Sequence, residues 1–228
     1  MCYYISMFYN NPKVQKIHDK IFYYPNFVPQ EKVQQINEIM KQYKREDYIE
    51  KDYGDPIDWY RDKLSPSIPE LVEVWDMIGE FLTPEYCVHP TLHLQTIHPG
   101  DGGMFLHCDS PGEEGHHRLT QTDKWNTCCI IHYGLVVYFG EFEGGENWYP
   151  NQDIIFPVKP GDMVIHGAHE DYQHGVKEVT SGVRFAYANF VLPVVKHPGT
   201  FPIWNTPEDK QRRELSLTDT WNQPVSNQ

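Results

Sequence analysis

The sequence lacks any CxxC pair, and its five cysteines, Cys2, Cys87, Cys108, Cys128 and Cys129, are odd in number. Neither a disulfide framework nor a zinc knuckle is built that way, so a reducing, cytoplasmic setting is expected. Long apolar runs are missing too. No stretch approaches the roughly 18 apolar residues that cross a bilayer, and the opening MCYYISMFYNNPKVQK has no basic segment ahead of an apolar one. No export and no membrane association is expected. Positive charge is scarce, with 19 Lys and Arg against 32 Asp and Glu, a formal net charge of −13. Such a surface repels phosphate backbones, whose binding depends on Lys and Arg displacing counterions, so no nucleic-acid partner is expected. No internal repeat and no low-complexity segment is present.

The 228 residues are 39% hydrophobic and 14% aromatic, enough to build a sizeable core without staples. The stretch 29–47 places Val33, Ile36, Ile39, Met40 and Tyr43 on one helical stripe, and 68–82 does the same with Leu71, Val72, Trp75, Ile78 and Leu82 before Pro84. From residue 91 the texture changes to short β-branched and aromatic runs, 91–97, 128–139, 153–158, 162–166 and 183–192, punctuated by PGDGG, GEFEGGE and KPGD turns. The expected fold is mainly β, a jelly roll with the N-terminal amphipathic helices packed on one sheet. We expect one domain over 1–228, with helical support in 1–90, a jelly-roll core in 91–197 and a C-terminal extension in 198–228 that opens a short helix near Thr206.

Twelve histidines give several metal-ligand options. In His107-Cys108-Asp109 the first and third residues point to one face of a strand, so an imidazole and a carboxylate approach a common ion. His174, 65 residues after Asp109, offers a third ligand. Two histidines and a carboxylate with open positions suit a non-haem Fe(II) centre. Arg184, ten residues beyond His174, has the planar fork that binds a carboxylate through two parallel bonds. His166 and His169 compete with His174, but the residues ten beyond them are Val176 and Val179, which bind no anion. A second HxD, His169-Glu170-Asp171, has no such partner and reads as an exposed loop. Gly144 and Gly145 read as turn residues, and Trp148 and Tyr149 as packing. The polar stretch 110–127, with His116 and His117, reads as either a lid or an irregular loop.

The motifs HPGDGGMFLHCD (98–109), VVYFGEFEGGENWYP (136–150), VKPGDMVIH (158–166) and HGVKEVTSGVRFAYANF (174–190) occur in one order. In that order they resemble the 2-oxoglutarate and Fe(II)-dependent dioxygenases, in particular the prolyl 4-hydroxylase-like branch. The resemblance implies a double-stranded β-helix with iron held by His107, Asp109 and His174. It further implies that Arg184 and Tyr138 bind the far carboxylate of 2-oxoglutarate. The implied activity hydroxylates an aliphatic C–H of a prolyl or other amino-acid residue in a peptide or protein. It consumes O₂, yields succinate and CO₂, and uses ascorbate as reductant. His98 departs from the pattern, which has tyrosine there. Two other readings stay open: a jelly-roll binding module, and a cupin-type metalloenzyme that does not use 2-oxoglutarate. Cupins usually supply an HxH pair, and this sequence has none.

Overall fold

A computed structural model describes residues 11–42, 68–83, 85–88, 93–109, 116–118, 128–130 and 132–193. The large sheet has the strand order β1 (Gln15–His18), β2 (Ile21–Tyr24), β12 (Met163–Gly167), β8 (Tyr133–Phe139), β15 (Arg184–Pro193), β3 (Tyr86–Val88), and β4 (His93–Ile97) also pairs with β15. A smaller sheet runs β11 (Ile154–Phe156), β10 (Asn147–Tyr149), β13 (His174–Val176), β5 (Met104–His107). All pairings are antiparallel among the described residues. Short ladders join β9 (Phe142–Gly144) to β14 (Val179–Gly182), and β6 (His116–Arg118) to β7 (Cys128–Ile130). This is the jelly-roll architecture expected from the strand pattern.

Strand alternation divides the large sheet into two environments. Leu94, Leu135, Val137, Phe139, Met163, Ile165, Tyr187 and Val191 face the helices and are buried with them. Helix α1 (Gln30–Met40) contributes Val33, Ile36 and Met40, and α2 (Pro69–Phe81) contributes Leu71, Val74, Trp75 and Ile78. Burying each such side chain stabilises by about 1.5–3 kcal/mol, so the apolar stripes, not local propensity, dock the helices. The opposite set, Val136, Tyr138, Val164, His166 and Arg184, looks away from them toward the smaller sheet.

Three features differ from the sequence reading. The segment ahead of α1 is not helical: β1 and β2 form a hairpin that extends the large sheet through β2–β12 pairing. Every residue of β1 is exposed, so no buried face leaves an alternating pattern to read. The run 128–139 is two strands, since β7 pairs with β6 while β8 joins the large sheet. The stretch 110–127 is thus not wholly irregular, as His116–Arg118 lies in that ladder. Residues 43–47 of the first helical stretch and 198–228 of the C-terminal extension, with its helix near Thr206, lie outside the described residues.

The PGD turn has a structural role. Asp162 is buried and accepts from the Tyr23 hydroxyl (2.6 Å), the Asn26 amide (2.9 Å) and the Lys159 amide (2.8 Å), tying the turn before β12 to the end of β2. Asp162→Ala leaves three donors without that acceptor. A loss of about 3 kcal/mol in urea unfolding is expected, and a change under about 1 kcal/mol would contradict this reading.

Candidate active site

The inner faces of the two sheets enclose a cavity of about 200 Å³. His107, Asp109, His174, Tyr138 and Arg184 all line it, together with Gln95. Register accounts for part of this convergence: His107 on β5 lies directly opposite His174 on β13, and Asp109 follows two residues after His107.

His107, Asp109 and His174 each offer an atom within 4.8 Å of the others. Asp109 Oδ1 stands 3.8 Å from Nε2 of His107 and 3.8 Å from Nε2 of His174. Both rings are oriented in the same way. His107 Nδ1 is 3.1 Å from the Phe105 carbonyl and His174 Nδ1 is 3.0 Å from the Tyr172 carbonyl. A carbonyl only accepts, so Nδ1 donates its proton in each ring, and Nε2 is turned toward Asp109. Burial, reinforced by His166, pushes His174 down to about 3, so it is neutral at pH 7 and needs no proton released to bind a cation. Burial alone would raise the Asp109 carboxyl, but His174, His166 and His107 outweigh it and hold the carboxyl well below the usual carboxylate range. Two imidazoles and one ionised carboxylate, brought together by β13, the end of β5 and the residue two beyond it, fit a first-row divalent cation such as Fe(II).

At a separate part of the cavity wall Arg184 is 2% exposed. Its only hydrogen bond among the described residues is from Nη2 to Asn147 Oδ1 at 3.2 Å, and its Nε has no partner. No carboxylate pairs with it among the described residues. Burial lowers its pKa from the ordinary value, with Tyr138 and Tyr149 opposing that shift. The Tyr138 ring lies 4.8 Å from the guanidinium carbon, and the Tyr138 hydroxyl accepts from Asn147 Nδ2 at 2.8 Å. Burial raises Tyr138 to about 12, so it keeps a proton to donate. A cationic fork and a hydroxyl, both dry and both short of partners, fit an incoming carboxylate. The far carboxylate of 2-oxoglutarate has that chemistry.

The sequence reading overlooked Asn147, which orients both groups, because nothing in GGENW marks an asparagine as inward-facing. It overlooked Gly134 as well, where a Cβ would overlap Asp109 Oδ2 and His166 Nε2. Gly145 has φ +66°, and a Cβ there would press on the Arg184 stem, so this turn residue also makes room for the arginine. Tyr149 packs parallel to Phe156, but its hydroxyl also bonds His166, so it is more than packing. Trp148 is half-buried, with the Lys177 ammonium 3.5 Å over its ring. In the second HxD, His169 Nδ1 accepts from the Asp171 amide and Asp171 is exposed. His98 does not line the cavity; its amide donates to Asp101 in the PGDGG turn.

No helix among the described residues is long and apolar enough to cross a membrane. No protein-family model and no curated protein matches the sequence. Solved structures do match in fold. One is the viral collagen prolyl hydroxylase vCPH from Paramecium Bursaria Chlorella virus-1 in its 2OG complex, with TM-score 0.53 and 14% identity over 77% of this chain and 97% of that chain. Another is the non-heme alpha ketoglutarate dependent carbocyclase SnoK from nogalamycin biosynthesis, with TM-score 0.54 and 14% identity over 76% of this chain and 79% of that chain. The chain therefore has the jelly-roll fold of the 2-oxoglutarate and Fe(II)-dependent oxygenases.

Proposed function

We propose that this chain is a 2-oxoglutarate and Fe(II)-dependent dioxygenase that hydroxylates an aliphatic C–H of a prolyl or other amino-acid residue in a peptide or protein. The observation that carries the reading is the buried Arg184, a charge with no anion beside it among the described residues, in the wall of the cavity that the His107, Asp109 and His174 cluster also lines. A metal-only site would have no use for that charge, and a binding module would have no use for both features. The fold likeness to a collagen prolyl hydroxylase supports a prolyl target, and the charge of −13 favours a peptide over a polyanion.

In this reading His107, Asp109 and His174 would hold Fe(II). Arg184 binds the far carboxylate of 2-oxoglutarate in a fork, and Tyr138 donates its hydroxyl proton to the same group. Ala186 and Ala188, on the cavity side of β15, leave room beside Val136 for the chain of the oxo acid. When bound, iron and 2-oxoglutarate supply the oxidising chemistry, with succinate and CO₂ as coproducts. The protein orients the target C–H and keeps bulk water out.

Anaerobic titration of the Fe(II) protein with 2-oxoglutarate tests the proposal. A weak visible charge-transfer band that grows and saturates is expected. Bound iron with no band would discard 2-oxoglutarate as cosubstrate. Asp171→Ala serves as the control for the second HxD: its iron affinity is expected to stay within about twofold of wild type, and a large loss would move the metal site to His169 and Asp171.

A further inference from the structure

We propose that His166 is a positioning residue that holds the metal-binding carboxylate of Asp109 in a one-oxygen binding mode. The inference rests on the metal reading given above. His166 is 2% exposed, and neither of its nitrogens is free. Nδ1 is 2.9 Å from the Tyr149 hydroxyl and Nε2 is 3.2 Å from Asp109 Oδ2. A neutral imidazole has one donor and one acceptor, and an ionised carboxylate only accepts. The proton therefore sits on Nε2 and points at Oδ2, while Nδ1 accepts the Tyr149 proton. His107 and His174 are turned the other way, each donating from Nδ1 to a backbone carbonyl.

Three imidazoles thus surround one carboxylate in two different capacities. Two turn Nε2 toward Oδ1, each at 3.8 Å, and the third occupies Oδ2 with a hydrogen bond. A carboxylate free to turn can bind a cation through both oxygens. That mode would take a second coordination position and leave two open instead of three. With His166 on Oδ2, the turn costs a part-buried, charge-assisted hydrogen bond.

The surrounding backbone is cut to fit this contact. In the β12–β8 ladder His166 lies opposite Gly134, and a Cβ at Gly134 would overlap both Asp109 Oδ2 and His166 Nε2. Tyr149 is in turn fixed by stacking on Phe156, ring centroids 6.0 Å apart. The chain of donors runs one way, from the Tyr149 hydroxyl through the imidazole to the carboxylate.

The test uses Co(II) alone as probe, read by its affinity and by its visible bands, which report coordination. In His166→Phe all three ligands remain but the donor to Oδ2 is gone. About 10–100-fold weaker Co(II) binding with shifted bands is expected. In His166→Gln the amide can donate to Oδ2 and accept from Tyr149, so affinity and bands return close to wild type. Tyr149→Phe removes a single hydroxyl, adds no bulk, and is expected to shift the bands in the same direction as His166→Phe. Urea midpoints for each variant separate these effects from folding. Unchanged affinity and bands in His166→Phe and Tyr149→Phe would overturn the proposal. Failure of His166→Gln to restore the bands would overturn it in favour of His166 as a direct ligand. If the wild type itself binds no Co(II), the metal reading falls, and this inference with it.

Discussion

Replacing Arg184 by methionine is expected to weaken 2-oxoglutarate binding by at least about 100-fold while leaving the ligand-free protein no less stable. The two effects have one origin. A guanidinium–carboxylate fork makes two charge-assisted bonds, each worth about 1.5–3 kcal/mol, and 1.4 kcal/mol is a factor of ten in affinity. Without its ligand the same guanidinium is a buried charge with no carboxylate beside it among the described residues, held by Asn147 and the Tyr138 face. Exchanging an uncompensated buried charge for an apolar side chain of similar length is neutral or stabilising. Anaerobic titration and urea unfolding of the same variant give both numbers. If stability falls by several kcal/mol while affinity barely moves, Arg184 is a structural arginine and the cosubstrate reading fails.

Gly134→Ala is expected to impair metal binding about as severely as Asp109→Ala, by roughly 100-fold or more. Asp109→Ala deletes a ligand outright. Gly134→Ala adds one methyl group on the cavity face of β8, where it would overlap Asp109 Oδ2 and His166 Nε2. The backbone itself gains, since alanine is favoured over glycine in a strand interior. Overpacking costs about 1–3 kcal/mol, and here its relief comes from pushing the carboxylate out of place. Co(II) titration of both variants checks this, and an affinity for Gly134→Ala within about threefold of wild type would show that the carboxylate has slack the geometry does not suggest.

These two residues mark where the sequence could and could not be read. His107 ends β5 with Asp109 two residues on, and His174 stands a fixed count before Arg184, so local spacing carries that set. The short β-branched and aromatic runs after residue 91, set off by Gly and Pro turns, made the β core legible as well. Gly134 was not: it matters only because β8 lies beside β12 in a register that sets it opposite His166, and a sequence does not display registry between distant strands. Asp109 and His166 are 57 residues apart and meet only in the folded chain. Asn37 is hidden for another reason. It interrupts the apolar stripe of α1, yet it is buried because its Oδ1 accepts from the Gly140 amide at 2.8 Å, fixing the helix to the turn that ends β8. Periodicity counts apolar residues and passes over a polar one that works as a clamp.

Strand β15 carries two messages interleaved. Its even-numbered residues Arg184, Ala186 and Ala188 write the shape and charge of the chamber, and its odd-numbered residues Phe185, Tyr187 and Val191 write the packing against the helices. The two vocabularies share a backbone but not a neighbour, because successive side chains point to opposite faces. Exchanges at 186 or 188 can therefore retune what the chamber admits without disturbing the helical layer. A slip of one residue would send the arginine into the hydrophobic layer and an aromatic ring into the chamber, ruining both at once. Pairing with β8 on one side and with β4 and β3 on the other holds the phase of both messages.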